Sequence, residues 1–243
     1  MRKALRQSNR AAVAKTAIIK APTKGWSADS LPVDAEDGTA VILENFFPEA
    51  TSIRPRKGFT EHTTGITGGV NTLMGFVSGS TQKLFAAGNS AIYDVTSSGA
   101  LGASVQSGLT STKFSFVNFA TAAGQFLFMV NGADSARHYN GSTWTNPAIT
   151  NVTSSTLSYV TSHKSRLFFI EANTTSVWYL PVDSVAGAAT EFDVGSQLRE
   201  GGRLVALGTW SVDSGSGLDD LFVIWSSEGE VLVYSGTNPS SDY

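Results

Sequence analysis

The chain has 243 residues, of which 24 are glycine, 15% are charged and none is cysteine, and its formal net charge is −3. Without cysteine there is no disulfide framework and no thiolate chemistry, and no run of 18 apolar residues is available to span a membrane as a helix. Abundant Gly, Ser and Thr, with few helix-favouring runs after residue 20, predict an all-β protein rich in turns.

Residues 1–20 form a basic arm: Arg2, Lys3, Arg6, Arg10, Lys15 and Lys20 occur there without any acid, which leaves the rest of the chain at a formal −9. The arm lacks the apolar core of a signal peptide, so the expectation is a protein made in a cytoplasm. Such an arm either docks onto an acidic partner surface or nucleic acid or is a solvated terminus. The acidic body, and the lack of aromatics among the basic residues, argue against a dedicated nucleic-acid module.

Residues 21–70 read as an extended segment. Gly25-Trp26 is expected to anchor a turn, and Ala40-Val41-Ile42-Leu43-Glu44-Asn45-Phe46-Phe47-Pro48 is an apolar stretch ended by proline. Thr51 to Phe59 reads as a strand that exposes Arg54, Arg56 and Lys57 and is closed by Gly58. These three cations are interaction candidates, together with Arg2, Lys3, Arg6 and Arg10. The plainer reading of the strand is an edge protected from aggregation by its charge.

From residue 71 a pattern recurs four times: a polar residue, an apolar run, a small polar turn, and a second apolar stretch bearing Tyr or Trp. The runs are Leu84 to Ala87, Phe126 to Val130, Leu167 to Ile170 and Leu221 to Trp225, and the aligned leucines Leu84, Leu127, Leu167 and Leu221 lie 43, 40 and 54 residues apart. Units of this length holding two to four strands predict a β-propeller-like array of four-stranded blades over about 71–112, 113–156, 157–203 and 204–243, in preference to a β-sandwich. The continuously apolar runs suit strands covered on both faces by adjacent blades. Gly88-Asn89-Ser90 and Glu228-Gly229 supply hairpin turns. Four units either close on themselves or leave a ring that further blades, or another polypeptide, would complete. Trp144, Trp178, Trp210 and Trp225 recur beside the apolar runs and are expected in the core, with a sugar-stacking surface as the alternative.

No catalytic set stands out, and neither an enzyme nor a cofactor is expected. His62, His138 and His163 are dispersed, with no zinc-binding spacing. There is no nucleophile elbow and no phosphate-binding glycine loop. Asp213 to Asp220 carries carboxylates but lacks an EF-hand loop, so a polar hairpin loop is the simpler reading. Glu171, Asp183, Glu191 and Asp193 cluster in sequence without a pattern that directs any pair to one cleft.

The succession Gly25-Trp26, Ala40 to Pro48 and Ile53-Arg54-Pro55-Arg56-Lys57-Gly58-Phe59 resembles the N-terminal region of tail nozzle proteins (tail tubular protein B-like) or tail hub proteins of short-tailed bacteriophages. The likeness covers about residues 20–95. It implies a structural virion protein, made in the host bacterial cytoplasm, that forms a ring of identical subunits, six in that family. The ring would continue the DNA ejection channel below the portal and adaptor and would meet fibres or tip proteins, with phage DNA passing through an acidic lumen. Members of that family are usually longer. The alternative function is a carbohydrate-binding or glycoside-cleaving propeller of a phage receptor-binding protein.

Overall fold

A computed structural model describes residues 18–28, 33–213 and 218–239, and the chain divides into two compact units, Met1–Thr60 and Glu61–Tyr243. The four nominated cations of the arm, Arg2, Lys3, Arg6 and Arg10, lie outside the described residues.

The first unit holds two small sheets. Strands β1 (Gly25–Trp26) and β2 (Thr39–Ala40) pair in parallel, and β3 (Phe46–Pro48) and β4 (Ile53–Pro55) pair antiparallel. The strand expected over Thr51 to Phe59 is therefore shorter, three residues rather than nine. Pro48 and Pro55 flank the ladder and bring no N–H to it, and the chain leaves β4 through a single bond from the Arg56 N–H to the Asn45 carbonyl at 2.6 Å.

The second unit is a succession of antiparallel sheets. After β5 (Thr63–Thr64), sheet I contains β6 (Val70–Ser78), β7 (Thr81–Gly88) and β8 (Ala91–Asp94); the short β9 (Gly99–Ala100) intervenes before its last strand, β10 (Ser104–Ser107). Sheet II contains β11 (Ser115–Thr121), β12 (Gly124–Val130), β13 (Arg137–Tyr139) and β14 (Trp144–Thr145). After β15 (Ile149–Thr150), sheet III contains β16 (Leu157–His163), β17 (Arg166–Glu171) and β18 (Ser176–Tyr179); β19 (Gly187–Ala188) then precedes its last strand, β20 (Thr190–Asp193). Sheet IV has three described strands, β21 (Leu204–Asp213), β22 (Leu218–Ser226) and β23 (Val231–Tyr234). The fold is all-β, a propeller-like array of blades.

Local sequence sets the hairpins. Asn89 and Ser90 both adopt positive φ (49° and 57°) between β7 and β8, as do Lys164 and Ser165 (44° and 58°) between β16 and β17. A two-residue turn with both φ positive twists in the same sense as the strands it joins. Between β13 and β14 the Asn140 side-chain carbonyl accepts the N–H groups of Ser142 and Thr143, and the Asn140 N–H donates to the Thr143 carbonyl at 3.2 Å, which together close the turn.

Packing then stacks the sheets. One apolar cluster joins sheets I and II through Met74, Phe76, Phe85, Leu127, Met129 and Tyr139. A second joins II and III around Phe128 and Phe169, and a third joins III and IV around Phe168 and Phe222, whose rings lie 4.5 Å apart. Each buried Phe contributes about 1.5–3 kcal/mol from burial alone, so the second strands, β12, β17 and β22, carry much of the core. No cluster among the described residues joins sheet IV back to sheet I.

One feature of the array repeats every two sheets. Sheets I and III each have a two-residue strand after the third that pairs in parallel with the segment ahead of the first, β9 with β5 and β19 with β15. The bulge at the start of the first strand is more widespread, found in sheets I, III and IV between Val70 and Thr72, Leu157 and Tyr159, and Leu204 and Ala206. At the I–II junction the Asn118 amide donates to the Gly75 carbonyl at 2.8 Å, and at the III–IV junction Thr209 Oγ1 lies 3.1 Å from His163 Nδ1.

Candidate interaction surface

In the first unit, β3 and β4 present the nominated cations. Phe47, Arg54, Pro55, Arg56 and Lys57 line a shallow groove, and a second hollow continues along Asn45, Arg56, Lys57, Gly58 and Phe59. Arg54 Nε pairs with Glu49 Oε1 at 3.1 Å, and the Ser52 hydroxyl donates to the other carboxylate oxygen. An exposed pair of this kind contributes about 0–1 kcal/mol. Arg56 and Lys57 are exposed, with Phe46, Phe47 and Phe59 exposed beside them. The surface is thus amphipathic, basic side chains set among aromatic rings. Ile42 and Trp26 are exposed as well; Trp26 is held by a bond from Nε1 to the Val41 carbonyl at 2.9 Å, so the expected anchor is tethered at its edge rather than buried.

In the second unit the tryptophans divide. Trp144 packs against the rings of Phe85 and Tyr139, and Trp178 is half-buried with Nε1 donating to Glu171 at 2.9 Å. Trp210 is 59% and Trp225 37% exposed, which corrects the expectation that all four are core. Both sit on the face of sheet IV turned away from sheet III. Register puts Trp210 opposite Leu221 and Trp225 between Ala206 and Val231, and Val231 and Val233 extend the patch at 49% and 46% exposure. At the other end of the array, Leu73 and Val77 are exposed on the face of sheet I turned away from sheet II, Leu73 at 57%.

Lys83 and Asp94 form an ion pair at 2.8 Å on sheet I, whereas the histidines of this unit are held apart. His138 is buried between Phe126 and Phe128, and burial keeps it below the ordinary histidine range. His163 is buried against Phe168 and Phe222; burial lowers it, Lys164 adds to the effect and Asp220 partly offsets it. His138 lies on a third strand and His163 at the end of a first strand, and the two pack into different sheets. Three of the four carboxylates of the sequence cluster serve local bonds: Glu171 accepts from Trp178 and Thr156, Glu191 from Ser176, and Asp193 from Thr175 and the Gly195 N–H. No group of three or more metal-binding side chains comes together among the described residues, and 214–217 of the acidic loop lie outside them.

Asp134 was not singled out by the sequence. Burial opposes its ionisation, but the N–H groups of Thr110 and Ser111 and the Asn131 amide all donate to it and hold its carboxyl below the usual range. It fastens the segment between sheets I and II to the turn after β12. Glu230 does the same before sheet IV, accepting the N–H groups of Arg199 and Glu200. The only hint in sequence is an acid soon after a second strand.

No family model matches the chain, and no curated protein sequence does. Among solved structures, the crystal structure of the computationally designed Ika4 protein aligns over 73% of this chain and 99% of its own length, with a TM-score of 0.43 and 13% identity.

Proposed function

We propose that the chain is a structural subunit of a short-tailed bacteriophage tail, part of the nozzle or hub ring below the portal and adaptor. The carrying observation is that the segment bearing the sequence resemblance, Ala40 to Phe59, leaves Ile42, Phe46, Phe47 and Phe59 exposed beside Arg54, Arg56 and Lys57. Apolar side chains gathered beside charge in this way are suited to burial against another protein. In this reading the groove seats the adaptor or a neighbouring subunit, the stacked sheets form a wall, and the acidic body lets DNA pass without adhering. Mass spectrometry of purified particles from the source culture tests it. The chain should be present at the copy number of a ring; particles that lack it overturn the reading.

The exposure of Trp210 and Trp225 favours one second reading, a carbohydrate-binding or glycoside-cleaving propeller, because flat exposed indoles stack on sugar rings. Glycan-array binding that is lost on Trp210→Ala would support it, and an array with no binding would remove it.

A further inference from the structure

We propose that the chain associates head to tail with a second copy of itself, the free face of sheet IV seating on the free face of sheet I of its neighbour as sheet II seats on sheet III. The argument rests on the two-sheet repeat and is independent of the tail reading.

Strand register makes the free faces comparable with covered ones. Sheet IV repeats sheet II: the pairs Trp210–Leu221, Gly208–Val223 and Ala206–Trp225 fall where Phe119–Phe126, Val117–Phe128 and Ser115–Val130 do. In sheet II, Phe119, Phe128 and Val130 are buried against sheet III. In sheet IV the matching residues Trp210 and Trp225 are 59% and 37% exposed, while Val223, at the place of Phe128, is buried.

Sheet I repeats sheet III in the same way. Leu73–Ala86–Tyr93 matches Val160–Phe169–Trp178, and Leu84 matches Leu167. In sheet III, Val160, Leu167 and Phe169 are buried against sheet II, whereas Leu73 is exposed. The two ends of the array therefore present the two halves of an interface that the chain already builds once, between its second and third sheets.

A stacked array stays soluble when its terminal units turn a polar face outward. Both free faces here carry exposed apolar side chains, Trp210, Trp225, Val231 and Val233 on one and Leu73 and Val77 on the other. Each copy offers one face of each kind, so the contact is heterologous and propagates until a ring closes or a filament grows.

The existing junction also says which residues would meet. The Ser115 hydroxyl accepts the Val160 N–H at 3.0 Å and reaches back to the Val160 carbonyl at 3.4 Å. Their equivalents are Ala206 and Leu73, so these two positions face each other across the proposed contact.

The chain has no cysteine, so single cysteines report cleanly. Leu73→Cys and Ala206→Cys are made separately, checked for native circular dichroism, and oxidised alone and mixed. The expected result is a disulfide dimer that forms at least about tenfold faster in the mixture than in either sample alone. Cross-linking of Ala206→Cys chains to one another at the mixed rate overturns the head-to-tail arrangement. So does a monomeric, internally bridged double variant, which would mean that sheet IV closes on sheet I of its own chain. Light scattering gives a second readout: the unsubstituted chain should be oligomeric and Val233→Glu monomeric with an unchanged circular dichroism spectrum. A monomeric unsubstituted chain overturns the proposal, even if the chain is found in particles.

Discussion

The Trp225 indole lies over Gly208 on the neighbouring strand, so that a β-carbon at position 208 would meet its Cζ3 and Cη2 at 3.0 Å. The glycine is the floor on which the ring rests, on the free face of sheet IV. Gly208→Ala should push the ring outward and red-shift the tryptophan emission. An emission spectrum unchanged by the substitution would contradict this contact.

The two kinds of aromatic residue in sheets III and IV should separate sharply by stability. Phe168 is buried in the cluster that joins the sheets, 4.5 Å from the Phe222 ring, whereas Trp210 is exposed. Phe168→Ala is expected to cost about 3–5 kcal/mol, and Trp210→Ala to stay within about 0.5 kcal/mol under conditions where the chain is monomeric. Urea titrations of both variants measure this, and equal losses would refute the assignment of faces.

Asp134→Ala removes an acceptor shared by the Thr110 and Ser111 N–H groups and the Asn131 amide. Donors left unpaired cost about 1–3 kcal/mol. Because the folded carboxyl is held below its unfolded value, its stabilisation is present above that value and is lost as pH falls through the range below about 4. Stability of Asp134→Ala should thus converge on that of the unsubstituted chain in acid; a gap independent of pH would contradict the bonding described.

His138 and His163 act in a different pH window. Burial holds both imidazoles below their unfolded value, so the unfolded chain binds protons first and stability falls as pH drops through about 6.5. The urea midpoint should fall between about pH 7.5 and 5.5. His138→Phe, which places a third ring between Phe126 and Phe128, should reduce that fall. An equal fall in the variant would mean that His138 is not buried in its neutral form.

Turn chemistry and apolar runs made the blades legible in sequence. Asn89-Ser90 announces the positive-φ turn of sheet I, and the unbroken runs Leu127 to Val130 and Leu167 to Ile170 are second strands covered on both sides. Aromatic recurrence misled at Trp210 and Trp225, because a position within a blade does not reveal which face is covered. The double-sheet repeat was hidden behind the leucine spacing. Its clearest trace is Gly99-Ala100 and Gly187-Ala188, the same dipeptide in the two inserted strands. The strand at Arg54 was overextended because basic alternation looks the same whether or not the ladder continues past Pro55. The carboxylates that fasten the sheets, Asp134 and Glu230, act on backbone groups remote in sequence, so their place soon after a second strand does not by itself reveal the bonds.

Immunogold electron microscopy of particles from the source culture, with antibody against this chain, tests the functional account most directly. Label confined to the short tail below the portal is the predicted result. Unlabelled particles, with the protein recovered free of them, would contradict it.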